Sequence, residues 1–334
     1  MKSKIKAIST YFPAKKVSNE HLNVEFPEWS AEKISNKTGI FNRRESAETE
    51  FTSDIAIESA LNLFKENSDF NKEDIDFVLL CTQSPDYFLP TTACIVQDKL
   101  GLKTSGGALD FNLGCSGYVY GLALADGLIK SQIAKNILLI TSETYTKHIH
   151  PKDKSNKTIF GDAATATIIS TEGYCEIEKF SLGTDGRGAE NLIVKNGGMR
   201  NKEMNGLDVY KEETFYKNDN NLFMDGQQIF QFTTKAVPEL VNETLSKNNL
   251  SIDEIDLFVF HQANKFMLDY IRRKLKISDD KFFVFLEDVG NTVSSTIPIA
   301  LQNAFQTNKI SKDMNVLIAG FGVGYSYGAT VLKF

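Results

Sequence analysis

The chain has 334 residues, 42% hydrophobic and 24% charged, enough to fill two cores and unlike the composition of disordered or fibrous chains. A net charge of −6 argues against nucleic acid as the main partner, and no apolar run approaches the roughly eighteen residues needed to cross a bilayer. The basic start Met1-Lys-Ser-Lys-Ile-Lys6 has no apolar segment behind it, and four cysteines without C-x-x-C spacing suit a reducing compartment, so a cytoplasmic protein with no membrane partner is expected.

In chain order, apolar periodicity predicts a helix over residues 54–65, then the apolar strand in Glu73-Asp-Ile-Asp-Phe-Val-Leu-Leu-Cys-Thr82, then a helix over 91–100. The run Asp110-Phe-Asn-Leu-Gly-Cys115-Ser-Gly turns a strand directly into a helix in which Tyr118, Val119, Tyr120, Leu122, Leu124, Leu128 and Ile129 leave almost no polar face. Such a helix is buried on all sides, and Gly117 and Gly121 are expected to let another backbone approach it. A thiol at that helix N-terminus meets the positive end of the macrodipole and unpaired N–H groups. Cys115 is therefore expected to have a lowered pKa and to be a nucleophile, against the plainer alternative of a small buried hydrophobe. The plainer alternative is kept for Cys81, Cys94 and Cys175. Further on, Asn136-Ile-Leu-Leu-Ile-Thr141 and Asp162-Ala-Ala-Thr-Ala-Thr-Ile-Ile169 read as strands. His148 and His150, beside Asp153, lack the further ligands that zinc needs and read as a solvated loop.

The pattern then repeats. Asp253-Glu-Ile-Asp-Leu-Phe-Val-Phe-His-Gln262 resembles the segment from Glu73 at an offset of 180 residues, and Asn315-Val-Leu-Ile-Ala-Gly320 resembles that from Asn136 at 179. Helices are expected over 232–247 and 265–275. Apolar strands alternating with helices imply a largely parallel sheet covered on both faces. Two halves, 1–172 and 173–334, meet at the polar break Ser170-Thr-Glu-Gly173. Each owns a helix without a polar face, and packing both helices between two sheets gives an inseparable α/β unit of five layers, αβαβα. Residues 183–222, rich in Gly, Asn, Asp and Lys, are an irregular excursion expected to cover a pocket or meet a partner.

His261 ends the repeated strand, where ligands gather in open α/β sheets, and opens His261-Gln-Ala-Asn264 ahead of a helix; a structural histidine is the alternative. Val289-Gly-Asn291-Thr taken alone is a capped loop. Gly320-Phe-Gly-Val-Gly-Tyr-Ser-Tyr-Gly328 cannot be a dinucleotide fingerprint, because only six residues follow it. A tight turn there can aim backbone N–H groups at an oxyanion.

In this order, Asn112-Leu-Gly-Cys115-Ser-Gly, His261-Gln-Ala-Asn264, Gly290-Asn291-Thr with Ser294-Ser-Thr-Ile-Pro298, and the glycine-rich ending resemble the thiolase superfamily, specifically the β-ketoacyl-acyl carrier protein synthase III family. Asn36-Lys-Thr-Gly-Ile40 and Phe160-Gly-Asp-Ala-Ala164 match further landmarks, so the likeness covers essentially the whole chain. The resemblance implies a thiolase-like fold, a homodimer and a two-stage reaction without a metal or other cofactor. Cys115 takes an acyl group from an acyl-coenzyme A or acyl carrier protein thioester, then gives it to the carbanion left by decarboxylating a malonyl thioester. By the same resemblance the backbone N–H groups of Cys115 and Val323 form the oxyanion hole, and His261 and Asn291 stabilise the enolate.

Departures from the family are as informative. Lys33 and Lys37 stand where the best-known members hold the coenzyme A adenine between a tryptophan and an arginine; they are expected to attract phosphates instead. Phe266 replaces an arginine just past Asn264, while Arg272, Arg273 and Lys274 offer a basic surface to an acidic acyl carrier protein. Leu89 replaces a phenylalanine that reaches across the dimer interface. These changes point to a specialised synthase of a secondary lipid, polyketide or modified-sugar pathway. Two alternatives are an acyltransferase acting on an alcohol or amine, and a noncatalytic partner subunit. Asn291 favours condensation, because simple transfer needs no enolate stabiliser.

Overall fold

The computed structural model of the chain describes residues 2–334. In the first half, β1 (Lys4–Tyr11), β2 (Phe77–Cys81), β3 (Gly107–Phe111), β4 (Ile137–Glu143) and β5 (Ala163–Ser170) lie in the order β3-β2-β4-β5-β1. A short strand, β6 (Cys175–Ile177), follows. In the second half, β7 (Ser181–Thr184), β8 (Leu257–Phe260), β9 (Phe282–Phe283), β10 (Asn315–Gly322) and β11 (Ser326–Lys333) repeat that order as β9-β8-β10-β11-β7. The two five-strand arrays are not separate sheets, as the sequence suggested. β6 pairs with β1 through Ile5 and with β11 through Leu332, joining them into one sheet of eleven strands. The sheet is also mixed rather than largely parallel. β2 and β8 are parallel to both neighbours, but β4–β5 and β10–β11 are antiparallel.

The principal helices are α1 (Ala31–Thr38), α2 (Thr52–Glu66), α3 (Thr92–Lys99), α4 (Gly117–Lys130), α5 (Gly226–Asn248), α6 (Lys265–Lys274) and α7 (Thr296–Gln306). None is long and apolar enough to cross a membrane among the described residues. The strands read as continuous apolar runs because both faces are covered. In β2, Leu79 faces the central layer of α4 and α7, while Val78 and Leu80 face α2 and α3. In β8, Val259 likewise points to α4 and α7, and Phe258 and Phe260 to α5 and α6. The result is the expected five-layer order.

α5 begins at Gly226, six residues before the apolar pattern becomes visible, because Asp225 caps the N–H groups of Gln227 and Gln228. Gly117 and Gly121 of α4 accept side chains, not a backbone: a methyl at Gly117 would strike Cys81 Sγ, and one at Gly121 would lie 2.6 Å from Leu139 Cδ1. α4 is not buried all round either, since Leu124 is 44% exposed. The 183–222 excursion carries a hairpin pairing Val209–Lys211 with Thr214–Lys217, and Leu192–Ile193 pairs with Phe223–Met224.

Candidate active site

Cys115 lies in the crossover from β3 to α4, where the Gly117 N–H donates to Gly114 O at 2.7 Å. The end of β10 presses against it from the other half. An added Cβ at Gly320 would sit 2.7 Å from Cys115 O, and one at Gly322 2.9 Å from Cys115 Sγ, so the absent side chains permit the contact. Beyond Gly322 the chain turns through Val323. The backbone N–H groups of Val323 and Cys115 favour the charged form of the sulfur.

His261 is held to the same strand, its N–H donating to Ala319 O at 2.8 Å. The ring stands edge-on to Phe321, and its Nδ1 is 2.7 Å from Thr296 Oγ1 at the start of α7. That hydroxyl has a second possible acceptor, Val293 O, at 3.0 Å. One proton thus has two destinations. Given to Nδ1, it leaves the ring proton on Nε2; given to Val293, it requires the ring proton on Nδ1.

Asn291 is fixed on three sides. Its N–H donates to Ile159 O at 2.9 Å, its C=O accepts from Gly161 N–H at 3.0 Å, and its Oδ1 accepts from Val293 N–H at 2.9 Å. The side-chain carbonyl being occupied, Nδ2 is left to donate. The turn carrying Asn291 is strained: Gly290 has φ +69° and Val293, a β-branched residue, has φ +56°. Beneath Gly161 and Gly290 runs the wholly buried Arg43, which donates to Asn19 Oδ1 at 2.7 Å and Thr158 O at 3.1 Å.

A buried carboxyl ties this turn to the cysteine half. Glu143, the last residue of β4, accepts from Ser294 Oγ at 2.7 Å on one oxygen and from Gln83 N–H at 3.1 Å on the other. Gln83 Nε2 donates to Asn112 Oδ1 at 3.1 Å, and its Oε1 lies over Gly114. Hydrogen bonds thus run from Ser294 through Glu143 and Gln83 to the residues just before Cys115. Cys115, His261 and Asn291 are 6%, 2% and 5% exposed.

Burial dominates the titration of this site. It pushes the Cys115 thiol up to about 12, reinforced by Glu143, although the Cys115 and Val323 N–H groups pull the other way. The lowered thiol pKa expected from the helix terminus is therefore not what the resting site has; desolvation outweighs the terminus. Glu143 is pushed up to about 8, and the partners it bonds are neutral. His261 is pushed down to about 3 and is neutral at ordinary pH.

A cavity of about 990 Å³ reaches Asn112 and Val323 near the site, its wall also including Gln83, Tyr145, His148 and Leu192; Cys115, His261 and Asn291 lie behind that wall rather than in it. The 183–222 excursion covers it as expected. His148 is not in a solvated loop: it is part of this wall, its Nε2 3.1 Å from Gln83 O, and burial lowers its pKa. His150 stacks on Phe215 with ring centroids 4.3 Å apart, pinning the excursion's hairpin. Among the described residues no group of side chains is arranged to hold a metal.

The outer residues are more scattered. Lys33 and Lys37 stand exposed over Trp29, with Nζ 5.5 and 4.8 Å from its ring centroid. Asn264 caps α6 by accepting from Met267 N–H at 2.9 Å. Much of the basic cluster is spent internally, since Arg272 pairs with Asp279, Arg273 bonds Asp269 O and Lys274 bonds Thr234 O. Phe266, 60% exposed, stacks on Phe230. Leu89 and Phe88 are each 83% exposed, and Phe88 also lines the cavity. Reading the sequence alone missed Gln83, Glu143, Thr296 and Trp29. Glu143 had a signal, being a lone acid closing an apolar strand, and Trp29 precedes Lys33 and Lys37 at helical spacing; Gln83 and Thr296 had none.

The family model described as 3-oxoacyl-[acyl-carrier-protein (ACP)] synthase III matches residues 109–186, and its C-terminal counterpart matches 245–334. The chain is 38% identical to the beta-ketoacyl-[acyl-carrier-protein] synthase III of Clostridium perfringens (strain ATCC 13124) over 99% of both proteins. It superposes on a crystal structure of a 3-oxoacyl-(acyl-carrier-protein) synthase III with TM-score 0.97 and 44% identity, covering 100% of both chains. The 3-oxoacyl-(acyl-carrier protein) synthase of Burkholderia xenovorans LB400 gives TM-score 0.89 and 33% identity over 99% of this chain and 94% of that one. By sequence and fold, this chain belongs to the β-ketoacyl-[acyl-carrier-protein] synthase III family.

Proposed function

We propose that the protein condenses an acyl thioester with a malonyl thioester, Cys115 carrying the acyl group between the two stages. In the first stage the sulfur attacks the thioester carbonyl, the thiol proton leaves with the carrier thiol, and the oxyanion is met by the Cys115 and Val323 N–H groups. Such donors are worth about 3 kcal/mol each. They are the same groups that oppose burial at the sulfur, so they favour charge at the site in either form.

In the second stage a malonyl thioester loses CO₂, and the electron pair left on carbon attacks the Cys115 thioester. The product is a β-ketoacyl thioester, and the sulfur regains a proton. While the enolate exists, its oxygen is held by Asn291 Nδ2 and by His261 Nε2. The observation that carries this reading is the occupied Asn291 carbonyl, which makes its amide a fixed donor. The balanced reaction needs no cofactor. An acyl carrier protein supplies the malonyl group and docks on the face of α1 and α6, drawn by Lys33, Lys37 and Arg273. A second copy of the chain covers Phe88 and Leu89, giving a homodimer that works in the cytoplasm.

The test is intact-protein mass spectrometry of Cys115 with a panel of acyl thioesters, paired with CO₂ release from malonyl-acyl carrier protein. Cys115→Ala is expected to abolish loading. Asn291→Ala is expected to load within a few-fold of the parent and to lose CO₂ release by at least tenfold. Equal loss of loading in both would refute the division of roles, and CO₂-free transfer to an alcohol or amine would favour the acyltransferase alternative.

A further inference from the structure

A buried cation lies beneath the site and takes no part in the steps above. Arg43 is wholly buried, yet among the described residues no carboxylate bonds it; the acids that act on it, Glu45 and Glu20, do so only at a distance. Burial lowers its pKa to about 10, so the guanidinium is still charged at ordinary pH. An unpaired buried cation is costly, and a neutral chain of the same length would fill the space without that cost. What the guanidinium adds is a planar fork of donors. It reaches acceptors on three separate segments: Asn19 Oδ1 at 2.7 Å, Thr158 O at 3.1 Å and Val17 O at 3.4 Å.

These contacts converge on Asn291. Thr158 opens the stretch that grips it: Ile159 O accepts the Asn291 N–H, and the Gly161 N–H donates to Asn291 O. From below, a Cβ added at Gly161 or at Gly290 would in each case lie 3.2 Å from Arg43 Cβ, so both backbones rest on the arginine stem. The strand carrying Arg43, Asn42–Glu45, is bonded to both stretches. The Asn42 N–H donates to Glu287 O at 3.0 Å, and the Asp162 N–H donates to Arg44 O at 2.8 Å. None of these bonds reaches Cys115. We propose that Arg43 is a positioning residue for the condensation stage alone: its fork, by holding Thr158 O and the turn above it, fixes the direction in which Asn291 Nδ2 donates, without touching substrate. The inference rests on the enolate-holding role given to Asn291.

The experiment follows loading of Cys115 and CO₂ release from malonyl-acyl carrier protein on the same preparations of four proteins: parent, Arg43→Lys, Asn291→Ala and the double variant. Taking the ratio of the two rates cancels any difference in folded fraction. Lysine keeps the charge and loses the fork, so in Arg43→Lys the ratio of CO₂ release to loading is expected to fall by about 10- to 100-fold, in kcat rather than in the malonyl KM. In the Asn291→Ala background the same substitution is expected to change the ratio by less than about twofold, because the residue it positions is gone. A proportional fall in both rates, losses that multiply in the double variant, a loss confined to KM or an unchanged ratio in Arg43→Lys each overturn the proposal. Should Arg43→Lys yield no folded protein, Asn19→Ala removes one acceptor of the fork and is expected to lower the ratio at least about threefold, an unchanged ratio again overturning the proposal. Equal CO₂ release by the parent and Asn291→Ala removes the role of Asn291 itself, and is distinguishable from a missing coupling between Asn291 and Arg43.

Discussion

Replacing Thr296 by valine keeps the shape of the side chain and removes the hydroxyl that faces His261 Nδ1 at 2.7 Å. His261 is neutral and buried, so one ring nitrogen carries the proton and the other does not. Stabilising an enolate requires the proton on Nε2, which in turn requires Thr296 to donate to Nδ1 rather than to Val293 O. The shorter of its two contacts favours that arrangement. Without the hydroxyl, Nδ1 is a buried nitrogen with no partner, a loss of about 1–3 kcal/mol. At about 1.4 kcal/mol per tenfold, CO₂ release should fall by about 5- to 150-fold. Acyl loading of Cys115, which does not use Nε2–H as a donor to the enolate, should change less than threefold, and Thr296→Ser should restore most of the rate. The tautomer itself is readable by nitrogen NMR, because the chain has only four histidines to resolve. A wild-type His261 carrying its proton on Nδ1, or a Thr296→Val protein releasing CO₂ at the parent rate, would refute the reasoning.

Two further outcomes are expected. The Glu143 carboxyl, held up at about 8 against an ordinary value near 4.5, binds its proton more tightly folded than unfolded, so folding loses stability as pH climbs through that window. Thermal scans of wild type and Glu143→Gln should therefore diverge in favour of the variant between pH 5 and 8; parallel curves would mean that the carboxyl is already ionised at low pH. Gly290→Ala places a side chain at φ +69° with Ile159 O at 2.9 Å, so it should cost about 1–2 kcal/mol and lower CO₂ release more than loading. Unchanged melting and CO₂ release would show that the Asn291 turn relaxes freely.

Much of this architecture was legible because its signals are local. The offset between Glu73 and Asp253 exposed the duplicated plan, and the continuous apolar strands declared that both sheet faces are covered. Cys115 and His261 were visible because each interrupts a pattern, a thiol where strand becomes helix and an imidazole ending an apolar run; Asn291, which alone reads as a capped loop, was picked out only by the family resemblance. What stayed hidden depends on pairing across the fold. The union of the two arrays at β6 rests on three residues, too few to show a period. Glu143 acquires its significance only where Ser294 and Gln83 converge on it, and Thr296 only because α7 delivers it to His261. The thiol was misjudged for a similar reason: helix position is read from sequence, whereas the desolvation that overrides it is set by β10 closing over the sulfur.

The short strand β6 bears on how such a molecule can change. Because it hydrogen-bonds to Ile5 on one side and Leu332 on the other, it welds the earliest and latest segments of the chain into a common seam. Neither half can part from the other without baring a raw sheet edge, which invites aggregation. The seam thus keeps the half that carries Cys115 fixed against the half that carries His261 and Asn291.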